Sequence, residues 1–124
     1  MSCLFNSLSY FLKLDNKVIR NMICDYLQEN KPIIEGIETH NILKYENNDV
    51  NKYINNMRLS STWGGAIEIQ VACNIWNMCI NVINIRDNHN NNNKNIIEFI
   101  PVNKKIDKTF KITWSGGHYE PIRE

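Results

Sequence analysis

The sequence predicts a mixed α/β fold (α/β or α+β) in which helices flank a small central sheet. Up to Trp76, apolar residues recur three and four positions apart, which is the spacing of a buried helix face. After Trp76, short segments are rich in β-branched residues or alternate apolar with polar residues, as strands do. Since helices come first and strands later, we expect the helices to pack on one sheet. At 124 residues the chain is long enough for one domain with a modest core.

Four helices are predicted in the first part of the chain. They cover residues 3–13, about 17–29, 49–58 and 66–76. Asp15 or Asn16 can cap the second of them and Asp49 the third, because these side chains accept hydrogen bonds from first-turn amides. Residues 31–47 are mixed in character and are predicted to form a loop, with a short helical turn left open.

Four strands are predicted to follow. Residues 79–85 are apolar and β-branched, which indicates a central strand, and residues 96–100 form the next one. In 109–114, Phe110, Ile112 and Trp114 alternate with polar residues, so one face of this strand is buried. A Ser-Gly-Gly turn then leads to a last strand, residues 118–122, because paired glycines permit backbone angles that other residues avoid.

Composition excludes several classes of function. The apolar fraction of 43% fits a globular chain rather than a disordered one. A net charge of +1, with both signs interspersed, argues against nucleic-acid binding, and no apolar run is long enough to span a membrane. The four cysteines have no metal-site spacing and no Asn-x-Ser/Thr acceptor occurs, so we expect an intracellular, cytoplasmic protein with free thiols. An asparagine-rich domain would suit a viral or AT-rich microbial source, and the oligomeric state is not indicated.

Residues at the two ends of the chain could form a thiol hydrolase site. Cys3 opens the first helix behind a capping Ser2, where the helix dipole favours a thiolate. His118 and Glu120, two residues apart in a strand, would project from one face as a general base and the group that orients it. A small protein can also carry a cysteine and a histidine by chance, so a structural protein remains an alternative.

Four short blocks, in the same order, resemble the ovarian-tumour (OTU) family of cysteine proteases, most of which are deubiquitinases. The blocks are Ser2-Cys3-Leu4-Phe5, Trp63-Gly64-Gly65 with Glu68, Ala72-Cys73-Asn74-Ile75 before the strand Ile80–Ile83, and His118-Tyr119-Glu120. The resemblance implies that Cys3 is the nucleophile and His118 the general base, without a metal or organic cofactor. It makes Glu120 a candidate third member of the triad, where the family usually has Asn or Asp. It also implies an oxyanion hole built from the backbone of Ser2 and Cys3.

The same resemblance implies a binding surface for ubiquitin or a ubiquitin-like protein as partner. Its candidate residues are Trp63, Gly64, Gly65, Trp114, Gly117 and Tyr119. The Trp-Gly-Gly segment could line a channel for a Gly-Gly tail, or could simply form a tight packed turn. Trp114 could touch substrate or anchor the core. Glu68 could bond backbone near the site, or could be an acid that favours its helix terminus. His40 and His89 are given no role, and Cys24, Cys73 and Cys79 are interpreted as buried, inert thiols.

Two functions follow from these observations. The first is a cysteine-type deubiquitinase, a thiol isopeptidase. The alternative is a catalytically weak or inactive OTU-like module that binds ubiquitin, because the Asp-Gly pair that precedes the cysteine in the family is not in this sequence. We therefore expect one OTU-like domain over residues 1–124, either sufficient as it stands or lacking that segment.

Overall fold

A computed structural model describes residues 3–45, 49–85 and 95–122. These residues form five helices and six strands. The helices are α1 (Cys3–Leu12), α2 (Asn16–Gln28), α3 (Thr39–Tyr45), α4 (Val50–Met57) and α5 (Ala66–Trp76). The strands are β1 (Pro32–Ile34), β2 (Ile37–Glu38), β3 (Met78–Asn84), β4 (Asn95–Phe99), β5 (Lys108–Trp114) and β6 (Tyr119–Pro121). No helix within these ranges is long and apolar enough to cross a membrane.

A four-stranded sheet organises the fold, in the order β4-β3-β5-β6. β3 pairs in parallel with β5, while β4 and β6 run antiparallel at the two edges. The predicted strand 79–85 therefore lies at the centre of the sheet. Most of the predicted loop 87–95 falls outside the described residues. The prediction of a small central sheet with helices is confirmed.

The core lies between this sheet and the helices. Met78, Ile80 and Val82 alternate along β3 and join Ile112 of β5 in one buried cluster with residues of α1, α2, α4 and α5. The Phe11 ring stacks on the Phe110 ring with centroids 4.3 Å apart, which joins α1 to β5. The buried residues of the strands alternate along the chain, and those of the helices recur at helical spacing. Both sets contribute to one core, as the sequence pattern predicts.

Two predicted helix caps are present. The Asp15 carboxylate accepts a hydrogen bond from the Lys17 amide at the start of α2. The Asp49 carboxylate accepts one from the Lys52 amide at the start of α4. Each carboxylate satisfies an amide that has no acceptor within its helix, and therefore fixes where the helix begins.

Residues 31–45 differ from the predicted loop. The structure has a short hairpin, β1 with β2, followed directly by α3. Gly36 turns the hairpin with a φ of +81°, a conformation that glycine adopts without strain. The Thr39 amide and hydroxyl both donate to the Lys31 carbonyl, and Ile33 anchors β1 in the core. Strands of three and two residues with mainly exposed side chains carry no period-two pattern, so the sequence does not reveal them.

Candidate active site

Cys3 is the first residue of α1, and the helix is held in place just behind it. Leu4, Phe5 and Leu8 are fully buried and fix this end of the helix in the core. Cys3 itself is a partly exposed free thiol. Because amides in a first helical turn have no acceptor within the helix, this end of α1 carries a partial positive charge.

The β5–β6 hairpin carries the histidine and the glutamate. Gly116, at a φ of +104°, turns the chain, and Trp114 pairs with Tyr119 across the two strands. His118 lies in this turn, immediately before β6, rather than within the strand as predicted. Its Nε2 lies 2.9 Å from Oε1 of Glu120, and both side chains are more than half exposed. The carboxylate is therefore positioned to orient the imidazole ring.

A backbone contact joins the two ends of the chain. β6 is an edge strand that packs against α1, and the Tyr119 N–H donates to the Cys3 sulfur at 3.5 Å. This contact brings the amide of the residue after His118 to the Cys3 sulfur. An open cleft of about 620 Å³ results, and it contains both the thiol and the imidazole. It is lined by Cys3, Asn6, Ser7, Tyr10, His118, Tyr119, Glu120 and Pro121.

The Trp-Gly-Gly segment contacts both halves of this site. Gly64 lies so close to α1 that an added Cβ would be 2.7 Å from Cδ2 of Leu4. The Trp63 ring is half exposed and lies against Gly117, where an added Cβ would be 3.3 Å from the indole. Gly65 is the N-cap of α5. The segment also lines a second cleft, of about 440 Å³.

The remaining residues that the sequence analysis named differ in burial and in their distance from the cleft, and two of them are not described by the structure. Trp114 is partly buried and packs against the core, as an anchor would. Burial raises the pKa of the Tyr119 phenol, and the nearby Cys3 and Glu68 raise it further. Ser2, the predicted cap and oxyanion residue, lies outside the described residues, as does His89. His40 is the second residue of α3 and is partly buried.

Glu68 is buried, with 1% of its surface exposed. Its Oε1 accepts from the Gly65 amide at 2.7 Å, and its Oε2 accepts from the Tyr53 hydroxyl at 2.7 Å. Burial raises the pKa of the Glu68 carboxyl, while these hydrogen bonds and the Arg20 charge oppose the rise. The geometry matches both predicted roles, because Glu68 is an acid in the first turn of α5 and its bond to the amide of the N-cap, Gly65, lies next to the site.

Sequence reasoning did not single out Arg20, which is also buried. Its guanidinium carbon lies 4.0 Å from the centre of the Phe5 ring, and Nη1 donates to the Met57 carbonyl at 2.7 Å. Its spacing in the sequence could have predicted this burial, since Ile23, Cys24 and Leu27 lie three, four and seven residues further along α2. That spacing places Arg20 on the buried face of the helix.

We expect an alkylating reagent to modify Cys3 before any other cysteine. Cys24, Cys73 and Cys79 are buried. Burial raises the pKa of the Cys24 thiol to about 11 and that of Cys73 to about 12, and it also raises that of Cys79. A raised pKa leaves less thiolate at neutral pH, and burial hinders access. Peptide mass spectrometry after brief iodoacetamide treatment measures the order. In denaturant, the four cysteines should react at similar rates; equal rates in the folded protein would contradict the prediction.

We expect Gly64→Ala to destabilise the fold by about 1–3 kcal/mol, because the new methyl group would collide with Leu4 and Phe5. Urea unfolding measures the change. Gly65→Ala is the matched control: the nearest atom to its added Cβ would be Oε1 of Glu68, at 3.9 Å, so its cost should stay below about 1 kcal/mol. Equal stability of Gly64→Ala and the parent would show that α1 can move away from this turn.

The sequence and the fold are similar to those of known proteins. A family model described as OTU-like cysteine protease matches residues 2–120. Ubiquitin thioesterase otu2 of Schizosaccharomyces pombe is 28% identical over 136 residues, which covers 98% of this chain and 42% of that protein. The chain thus spans less than half the length of this curated relative.

Two solved structures share the fold. One is an ovarian tumour (OTU) domain in complex with ubiquitin, with a TM-score of 0.73 and 24% identity over 97% of this chain and 62% of that one. The other is the OTUD1 OTU domain, with a TM-score of 0.76 and 15% identity over 99% of this chain and 79% of that one. At these sequence identities, the similarity to the two structures shows a shared fold and nothing further.

Proposed function

Because the chain belongs to the OTU-like cysteine protease family, we propose that it is a thiol isopeptidase that removes ubiquitin or a ubiquitin-like modifier from proteins. One observation carries the proposal: α1 and β6 bring Cys3 and the His118–Glu120 pair to a single cleft, with the Tyr119 amide on the sulfur. The relative named ubiquitin thioesterase and the OTU domain solved with ubiquitin support the choice of substrate.

The proposed reaction starts with proton transfer from the Cys3 thiol to His118. Glu120 accepts the Nε2–H of the imidazole, which leaves Nδ1 as the ring nitrogen that takes the thiol proton. The Cys3 sulfur then attacks the carbonyl carbon of the modifier's terminal glycine. The negative oxygen that forms is stabilised by backbone amides at the start of α1, with Cys3 and Ser2 as the proposed donors.

The tetrahedral intermediate collapses when the carbon–nitrogen bond breaks and His118 returns its proton to the leaving amine. A water molecule, deprotonated by His118, then attacks the thioester carbonyl. The carbon–sulfur bond then breaks, the modifier leaves with a free carboxylate, and His118 returns the proton to the sulfur, which restores the Cys3 thiol. Cys3 and His118 act in both halves of the reaction, so apart from water the site requires no second nucleophile.

The modifier tail is proposed to reach Cys3 past Trp63 and Gly117, which contact each other beside the hairpin that holds His118. Gly117, without a side chain, allows the Trp63 indole to lie directly against the hairpin, and the two residues are proposed to form one wall of this path. Tyr119 contributes through its backbone at the sulfur. Gly64, Gly65 and Trp114 act indirectly in this proposal, by packing on α1, capping α5 and anchoring the core.

Ubiquitin with a thiol-reactive group at its C-terminus tests the proposal, with the labelled residue located by mass spectrometry. We expect labelling at Cys3, with loss of labelling in Cys3→Ala and a large reduction in His118→Ala. The same warhead on a ubiquitin-like modifier serves as the parallel probe. Binding of ubiquitin without labelling would favour the non-catalytic binding module. Absence of both binding and labelling for either probe would overturn the proposed substrate class.

A further inference from the structure

Among the described residues, the proposed mechanism leaves two buried charged groups unused, the carboxylate of Glu68 and the guanidinium of Arg20. Both carboxylate oxygens of Glu68 accept short hydrogen bonds, one from the Gly65 amide and one from the Tyr53 hydroxyl. Removing a carboxylate from water is costly, and such groups are retained in proteins where their hydrogen bonds are fully satisfied. Through these two bonds, Glu68 joins the start of α5 to α4.

The bond to Gly65 holds the turn that presses on the nucleophile helix. Gly64, the preceding residue, lies against Leu4 and Phe5, with an added Cβ only 2.7 Å and 3.0 Å from their nearest atoms. These two side chains directly follow Cys3 in the first turn of α1. A shift of the Gly64 backbone would therefore change the position of that turn.

A second contact holds the same turn of α1 through Phe5. The Arg20 guanidinium covers the Phe5 ring at 4.0 Å and is itself fixed by the Met57 carbonyl. The charges of Arg20 and Glu68 attract each other, since each lies within electrostatic range of the other. Phe5 is thus held by Gly64 and by Arg20, and Glu68 interacts with both of these supports.

We propose that Glu68 is a positioning residue for Cys3: it fixes the Gly64–Gly65 turn and thereby aims the first turn of α1, and its thiol, at His118. This inference rests on the proposed function for its effect on turnover. Its effect on the thiol itself is independent of the substrate. A misplacement of about 1 Å can lower a rate about 100-fold, so a small relaxation of this turn is sufficient.

The test compares Glu68→Ala with Glu68→Gln. A glutamine can still accept from the Gly65 amide and can donate to the Tyr53 oxygen, so it should keep kcat within about threefold of the parent. Alanine loses both bonds, and we expect kcat for a ubiquitin C-terminal amide substrate to fall about 10- to 100-fold with little change in KM. Leu43→Ala, a buried change in α3, is the control for lost stability alone and should leave kcat unchanged.

A double-mutant cycle with His118→Ala, with the rate of Cys3 alkylation as its readout, distinguishes two effects of Glu68→Ala. One is a change in the position of the thiol relative to His118, and the other is a general loss of stability around α1. If Glu68 aims the thiol at His118, Glu68→Ala should slow alkylation in the parent but have almost no further effect in His118→Ala. Additive effects in the cycle, or parent-like kcat and alkylation in a folded Glu68→Ala, would overturn the proposal. If Glu68→Ala does not fold, Tyr53→Phe removes one of the two bonds and should give a smaller loss of the same kind.

Alkylation needs no ubiquitin, so the two proposals can fail separately. Coupling in the cycle without hydrolysis of the ubiquitin substrate by any variant would support the positioning role and count against the proposed substrate. Hydrolysis by the parent without coupling would support the function and overturn the positioning role.

Discussion

Replacement of Cys3 by alanine is expected to lower kcat by about 10⁴-fold or more, because the variant lacks the sulfur on which the acyl intermediate is proposed to form. The fold should persist, since the apolar side chains of Leu4, Phe5 and Leu8, rather than the thiol, hold α1 in the core. Hydrolysis of a ubiquitin chain and of a fluorogenic ubiquitin amide measures the loss. Circular dichroism and thermal unfolding check that the variant is folded.

Cys79→Ala is the matched control for this change. It removes a buried thiol from β3, and we expect kcat close to that of the parent. Cys3→Ser is a stricter comparison, because a hydroxyl in the same position ionises far less readily than a thiol. If Cys3→Ala cleaved ubiquitin at the parent rate, the proposed chemistry would be wrong, whatever the geometry of the cleft.

Local pattern accounts for much of the candidate site. Alternation in 109–114 and the Ser-Gly-Gly break predict the β5–β6 hairpin, and a two-residue step predicts that His118 and Glu120 share a face. These are short-range features, set by strand geometry. The approach of β6 to α1 is not local, because it joins residues 116 positions apart. Residue chemistry made a pairing of Cys3 with His118 one possibility among others, and the resemblance to the family favoured it.

The features that sequence reasoning missed have physical causes in common. Arg20 follows the helical spacing of buried residues, but a search for apolar residues passes over a charged one. It tolerates burial because its guanidinium stacks on Phe5 and donates to the Met57 carbonyl. Glu68 was a candidate residue, but its bond to Tyr53 was not predicted, since only the three-dimensional structure brings this residue of α4 to its second oxygen. Both depend on partners far away in the sequence.

Replacement of His118 by alanine is expected to lower kcat about 10²- to 10⁴-fold, the usual contribution of a positioned general base. Glu120→Ala should cost less, about 10-fold, because it removes one hydrogen bond to the imidazole at an exposed position where water can replace it. Steady-state hydrolysis of a fluorogenic ubiquitin amide measures both variants. Glu120→Gln is the matched control, since its amide oxygen can still accept the Nε2–H, and we expect it to retain most of the activity.

The double variant with both residues replaced by alanine tests whether Glu120 acts through His118. If it does, Glu120→Ala should have almost no further effect once His118 is alanine, because no ring remains to be oriented. If Glu120→Ala alone had parent kcat while His118→Ala was inactive, the 2.9 Å contact would be an exposed hydrogen bond without a catalytic role. Another group would then orient the ring, and Asn6, a polar residue in the same cleft, would be the next one to replace.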